Sequence, residues 1–284
     1  MLLRLQSVAL SLLVVIWFAQ APSGPRPPDS TDAAAFVEQQ AHSSARRLAG
    51  DLALATGAGL LAALGIALRR RRRRRPVRNE GDLVDALGEP LLAARPAREA
   101  ALRELCRQLL EHWFIDGRAL LPVVSAETGE GRTHLVASLA EIFAQMGVRT
   151  LLVDANLRSP GQHREFRIQN RRGLADLLAD REVQPAVCGE SLAVLAAGSS
   201  TGEPLELLSR PRLREFLAAA GKRFRVVLID TPAAAEGPDL QIFAALAGGA
   251  LVVHKKEADR AGLLGLRKHL QAARSRTVSV VLSG

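Results

Sequence analysis

Six short apolar runs, each separated from the next by a helical pattern, constrain this chain more than any other feature. They lie at 119–124, 149–154, 192–196, 225–230, 250–254 and 278–282. Runs such as RVVLID are nearly continuous in branched residues, which is how strands buried on both faces read. The intervening segments space their apolar residues at three and four, as helices do. In 132–146, for example, Leu135, Leu139, Ile142, Phe143 and Met146 fall on one side. Further helices are expected at 174–178, 212–220, 240–246 and 262–273, and an amphipathic one at 99–113 precedes the first strand. Strand–helix alternation predicts an α/β fold, a parallel sheet covered by helices on both faces, with its ligand at the C-terminal strand ends.

The stretch SAETGEGRTH (125–134) sits between the first strand and its helix. A phosphate loop needs glycines so that backbone N–H groups can approach phosphate oxygens, a cation for the β/γ-phosphates and a hydroxyl for Mg²⁺. Gly129 and Gly131 supply the bare backbone, Arg132 the cation and Thr133 the hydroxyl, with Glu130 and His134 in the same loop. Two strand ends carry acids, Asp154 (followed by Asn156 and Arg158) and Asp230. Carboxylates at such places hold Mg²⁺ in phosphoryl-transfer proteins. A strand-terminating turn would explain any one of these acids; the three features in this chain order point to a nucleotide site.

The net charge of +9 invites a nucleic-acid reading, but seven arginines at 69–75 supply most of it. Without those seven of the 38 basic residues, 31 remain against 29 acidic ones, which excludes a basic nucleic-acid groove. The arginine run directly follows an uncharged stretch at 52–68, and an earlier apolar run occupies 5–21. Basic residues flanking a span stay on the cytoplasmic side and attract anionic lipid. The expected order is a first membrane segment (1–21), a short outside loop (22–50), a second segment with its arginine run (51–75), a linker around one short helix (76–98) and a cytoplasmic domain (99–284). The two cysteines, 106 and 188, have no metal or redox spacing and read as reduced thiols, and the six histidines form no ligand motif.

The motifs resemble the bacterial tyrosine kinases fused to polysaccharide co-polymerases, the chain-length-determinant tyrosine kinases of exopolysaccharide systems. Asp154-x-Asn156-x-Arg158 matches the family's second Walker motif, usually DxDxR. GLADLLAD (173–180), LAVLAAGSSTGEPLELLSRPRLREFL (192–217), VVLIDTPAAAEGPD (226–239) and NEGDLVDALGEPLLAARP (79–96) fall where family counterparts fall. The resemblance, over about residues 52–284, implies a P-loop domain akin to the MinD/ParA ATPases. It also implies ATP or ADP with Mg²⁺, and an inner-membrane location with the domain cytoplasmic. Its partners would be a co-polymerase or polymerase and export proteins, and homo-oligomers are an allowed state. On this reading Arg132, Asp154 and Asn156 are catalytic, and Gly129, Glu130, Gly131, Arg132, Thr133, His134 and Arg158 bind the cofactor. Thr133, Asp154 and Asp230 hold the metal.

The chain departs from that pattern. It contains no tyrosine, so it cannot phosphorylate itself on tyrosine. Arg132 stands for the usual lysine, Asn156 for an aspartate, and Ser283 for an asparagine expected near the adenine. The oligomerisation motif Glu-x-x-Arg-x-x-Arg reads Ala100-x-x-Arg103-x-x-Cys106, which puts a ring assembly in question. These departures favour a nucleotide-binding regulator of exopolysaccharide assembly. The alternatives are a kinase acting in trans on another protein's tyrosines, a non-catalytic scaffold, and a positioning ATPase.

Overall fold

A computed structural model describes Thr56 and residues 62–67, 80–199, 202–256 and 259–283. The chain divides into two compact units, Met1–Leu68 and Arg69–Gly284, and the fold that follows is that of the second. The first apolar run, the outside loop and the arginine run lie outside the described residues. Among the described residues no helix is long and apolar enough to cross a membrane.

The elements in chain order are α1 (Glu80–Leu87), β1 (Arg95–Pro96), α2 (Glu99–His112), β2 (Leu120–Ser125), α3 (Arg132–Gln145), β3 (Thr150–Asp154), α4 (Gln162–Glu165) and α5 (Leu174–Leu178). Then come β4 (Ala186–Val187), β5 (Leu192–Leu195), α6 (Pro204–Leu208), α7 (Pro211–Arg223), β6 (Val226–Asp230), α8 (Asp239–Ala247), β7 (Gly249–Lys255), α9 (Arg260–Ala272) and β8 (Arg276–Ser283). The strands form one sheet in the order β1-β8-β7-β2-β6-β3-β5-β4. Every pairing is parallel except β4 with β5.

All six strands and all six helices expected from the periodicity are present, with no end shifted by more than three residues. Period-two alternation divides each strand between two cores. In β6, Val226 and Leu228 join the layer under α2 and α3, while Val227 and Ile229 join the opposite layer with Leu213 and Leu217 of α7. In β7, Leu251 and Val253 face the first layer, and Ala250 and Val252 face Leu263 and Leu266 of α9. All five residues of β3 and of β6 are buried, as strands covered on both faces require. Burying each Val or Leu contributes about 1.5–3 kcal/mol.

Two short strands were not legible in the sequence. The stretch read as a linker carries its helix, α1, and also edges the sheet. Leu91 and Leu92 N–H donate to the carbonyls of Thr277 and Val278, and β1 pairs with β8. At the other edge, β4 folds back on β5. Each is two residues long, too short for a hydrophobic period to show.

Candidate functional site

Strand order places the site. From β2 the chain crosses through α3 to β3, leaving a gap that β6 later fills, while β7 takes the other flank of β2. The crevice at the C-terminal end of β2 is where such sheets bind ligands. The loop 126–131 rises there and delivers the chain into α3, whose N-terminus carries partial positive charge toward the crevice. Gly129 and Gly131 adopt φ of 76° and 80°, a left-handed conformation that glycine accepts without strain. Gly131 is the N-cap of α3 and has no side chain to cover the helix end. A cavity of about 250 Å³ opens beside the loop, lined by Thr128, Gly129, Arg132, Thr133, Asn156 and Ser159 among others. Larger hollows lie on α2 (about 700 Å³) and near Arg149 and Phe224 (about 490 Å³). Neither includes the glycine loop, so geometry rather than size selects the site.

Asp154 and Asp230 are register partners on the adjacent strands β3 and β6, and both are fully buried. Asp154 Oδ1 accepts the Asn156 N–H at 3.2 Å, and its Oδ2 accepts those of Gly161 (3.0 Å) and Gln162 (2.9 Å). Burial, then the neighbouring Asp230 charge, pushes the Asp154 carboxyl up to about 7 against the pull of those three N–H groups. Asp230 Oδ1 accepts Arg132 Nε at 3.0 Å, and Oδ2 accepts Gln162 Nε2 at 2.7 Å. The same amide also donates to the Thr133 carbonyl at 2.9 Å. Gln162 Oε1 is buried with no hydrogen-bond partner among the described residues.

Arg132 is folded inward, its side chain only 7% exposed. Besides Asp230 it donates through Nη1 to Ser125 Oγ, at the end of β2. The residue in the lysine's place is therefore tied to the carboxylate expected to hold the metal. All four oxygens of the Asp154–Asp230 pair already accept a hydrogen bond from the protein. A divalent ion placed here would have to share an oxygen with a protein donor, since none of the four is without one.

The remaining expected residues divide. Thr133 and Asn156 line the cavity, and Asn156 Oδ1 caps its own turn by accepting the Ser159 N–H at 3.0 Å. Glu130 turns away from the cavity and shapes the loop. Its Oε2 accepts the Glu127 N–H at 2.9 Å, and its Oε1 accepts that of Lys255 (3.2 Å) and lies 3.0 Å from His254 Nδ1. Burial raises the Glu130 carboxyl, but the His254 contact and the two N–H bonds outweigh it and leave the group below its ordinary value. Ser283 Oγ, at the tip of β8, donates to the Glu130 carbonyl at 2.7 Å. His134 is exposed and meets Glu165 at 3.2 Å. Arg158 is held bidentately by Asp239, at 2.7 and 3.1 Å, away from the cavity lining. Neither His134 nor Arg158 is brought to the phosphate cavity.

Ser125, Gln162, His254 and Asp239 were missed by sequence reasoning. His254 and Ser125 carried one usable signal, a polar residue closing an apolar strand on the ligand-facing edge. Gln162 and Asp239 carried none, because their partners stand 68 and 81 positions away.

The chain is 31% identical over 167 residues to the tyrosine-protein kinase YwqD of Bacillus subtilis, covering 57% of this chain and 70% of that one. The chain belongs to the bacterial tyrosine-protein kinase family. The tyrosine-protein kinase etk of Escherichia coli is 29% identical over 138 residues, but the match spans only 19% of that much longer protein. The kinase domain of the Escherichia coli tyrosine kinase ETK superposes with a TM-score of 0.62 at 26% identity, over 66% of this chain and 75% of that one. The chimerical protein CapA2B2 shares the fold, with a TM-score of 0.65 at 24% identity over 72% of this chain and 98% of that one. No family model matches the chain.

Proposed function

We propose that the chain is a nucleotide-binding, kinase-like regulator of exopolysaccharide assembly. The observation that carries this is the left-handed Gly129–Gly131 loop at the N-terminus of α3, opening on a cavity lined by Arg132 and Thr133. Backbone N–H groups and the helix dipole converge there on one anion, with Arg132 beside them in the lining. The ligand is a nucleoside di- or triphosphate, ATP or ADP by family resemblance, and the cation that accompanies it is decided at Arg132. The same resemblance supports a role in chain length or export, partners among co-polymerase, polymerase or export proteins, and an inner-membrane anchor with lipid contact through the arginines at 69–75. It also carries the homo-oligomer as an assembly state.

Binding is favoured over phosphoryl transfer at this site. Asn156 carries no charge to accept a proton, and Asp154 spends its oxygens on three backbone N–H groups. The test is titration of the full chain with ATP and ADP. Binding that weakens on Thr133→Ala supports the assignment, and no detectable binding at millimolar nucleotide sinks it. Transfer to a tyrosine of a co-purified partner, abolished by Asp154→Ala, would overturn the preference for binding alone.

A further inference from the structure

Two carboxyl groups stand at neighbouring strand ends, both excluded from water, and the charge they carry between them needs a cation close by. In this chain one is covalently attached. We propose that Arg132 is the resident cation of the site: it stays on Asp230 while its remaining N–H groups meet the phosphate, so nucleotide binds without a divalent metal ion. The inference rests on the phosphate-loop reading and goes beyond it.

The first support is the donor inventory. A guanidinium carries five N–H groups in a rigid fork. Asp230 engages Nε, and Ser125 engages one hydrogen of Nη1. Three donors remain on a residue that is itself part of the phosphate-cavity lining. Arginine can therefore bridge a carboxylate and a phosphate at once, which a lysine ammonium, a compact point charge, does less well.

The second support is competition for Asp230. Its Oδ1 holds Arg132 at 3.0 Å, and its Oδ2 holds Gln162, which is itself braced on the Thr133 carbonyl. A divalent ion at Asp230 would sit against the guanidinium that already occupies its Oδ1. In a poorly solvated pocket that repulsion is strong. Moving Arg132 aside would in turn leave it without the counter-ion it has at 7% exposure. The metal and the arginine are alternatives, and the arginine is tethered.

The third support is the second carboxylate. Asp154 accepts three backbone N–H groups from the turn 156–162, so it acts as the organiser of that turn. Turning it away from that position would leave all three donors unmet in a buried place, so only Oδ1, with a single N–H, could be shared with an ion.

The test uses the full chain and a fluorescent N-methylanthraniloyl-ADP, read by anisotropy in excess MgCl₂ and in excess EDTA. The dissociation constants are expected to agree within about twofold. A loss of more than about tenfold in EDTA, some 1.4 kcal/mol, overturns the inference while leaving the nucleotide site intact. No binding in either buffer overturns the phosphate-loop reading itself. Arg132→Lys, checked for folding by thermal melting, is expected to become metal-dependent, binding about tenfold or more tighter in MgCl₂ than in EDTA. A folded lysine variant indifferent to EDTA would also refute the role of the guanidinium. If that variant does not fold, the wild-type comparison decides alone.

Discussion

Asp230→Ala removes the counter-ion of Arg132, and the structure sets the size of the penalty. Arg132 is 7% exposed and Asp230 is fully buried, so no solvent waits to take up the freed guanidinium. Breaking a buried pair by deleting one partner costs about 3–5 kcal/mol. Relief of the repulsion between Asp154 and Asp230 offsets on the order of 1 kcal/mol. The net loss is about 2–4 kcal/mol, roughly a 5–15 °C fall in midpoint for a domain of this size. Urea unfolding followed by circular dichroism measures it. A loss below about 0.5 kcal/mol, the scale of a neutral surface substitution, would refute the buried pair. The double variant Arg132→Met with Asp230→Leu adds a sharper condition. Replacing both charges by apolar groups of similar bulk is often neutral or stabilising, so stability should return to within about 1 kcal/mol of wild type. A double variant as weak as the single one would mean that the strand end, and not the charge pair, had been damaged.

Three other outcomes follow from the same geometry. The Asp154 carboxyl stands near 7 in the folded chain against an ordinary 3.8. The folded state therefore holds a proton that the unfolded state releases, and this group's contribution to stability declines from about pH 4 to 7 and is level above; Asp154→Asn should flatten that slope in denaturation curves taken across the range. Gly173→Ala would place a Cβ 2.0 Å from the Ala196 carbonyl oxygen and 2.4 Å from the Gly198 nitrogen, so the turn after β5 must move, costing about 1–3 kcal/mol in a thermal melt. Ser283→Ala removes the donor to the Glu130 carbonyl, a loss of about 1 kcal/mol, and should raise hydrogen exchange in the loop 127–131 above that of β6.

The sequence by itself determined the elements and the place of the loop. Side-chain period is a local property, so buried strands such as β6 and amphipathic helices such as α2 announce themselves within a dozen residues. Glycines between a strand and a helix, and acids closing two strands, are equally local, and they sufficed to name Gly129, Gly131, Thr133, Asp154 and Asp230. The tertiary structure decided what those residues do. Arg132 meets Asp230 across 98 positions, and His254 meets Glu130 across 124. Only the insertion of β6 between β2 and β3, and of β7 on the other flank, brings these ends together. The departure from lysine at position 132 is visible in the sequence. That the arginine turns back onto Asp230 follows from burial: a guanidinium under the loop must take the nearest carboxylate, and strand order alone sets which one that is.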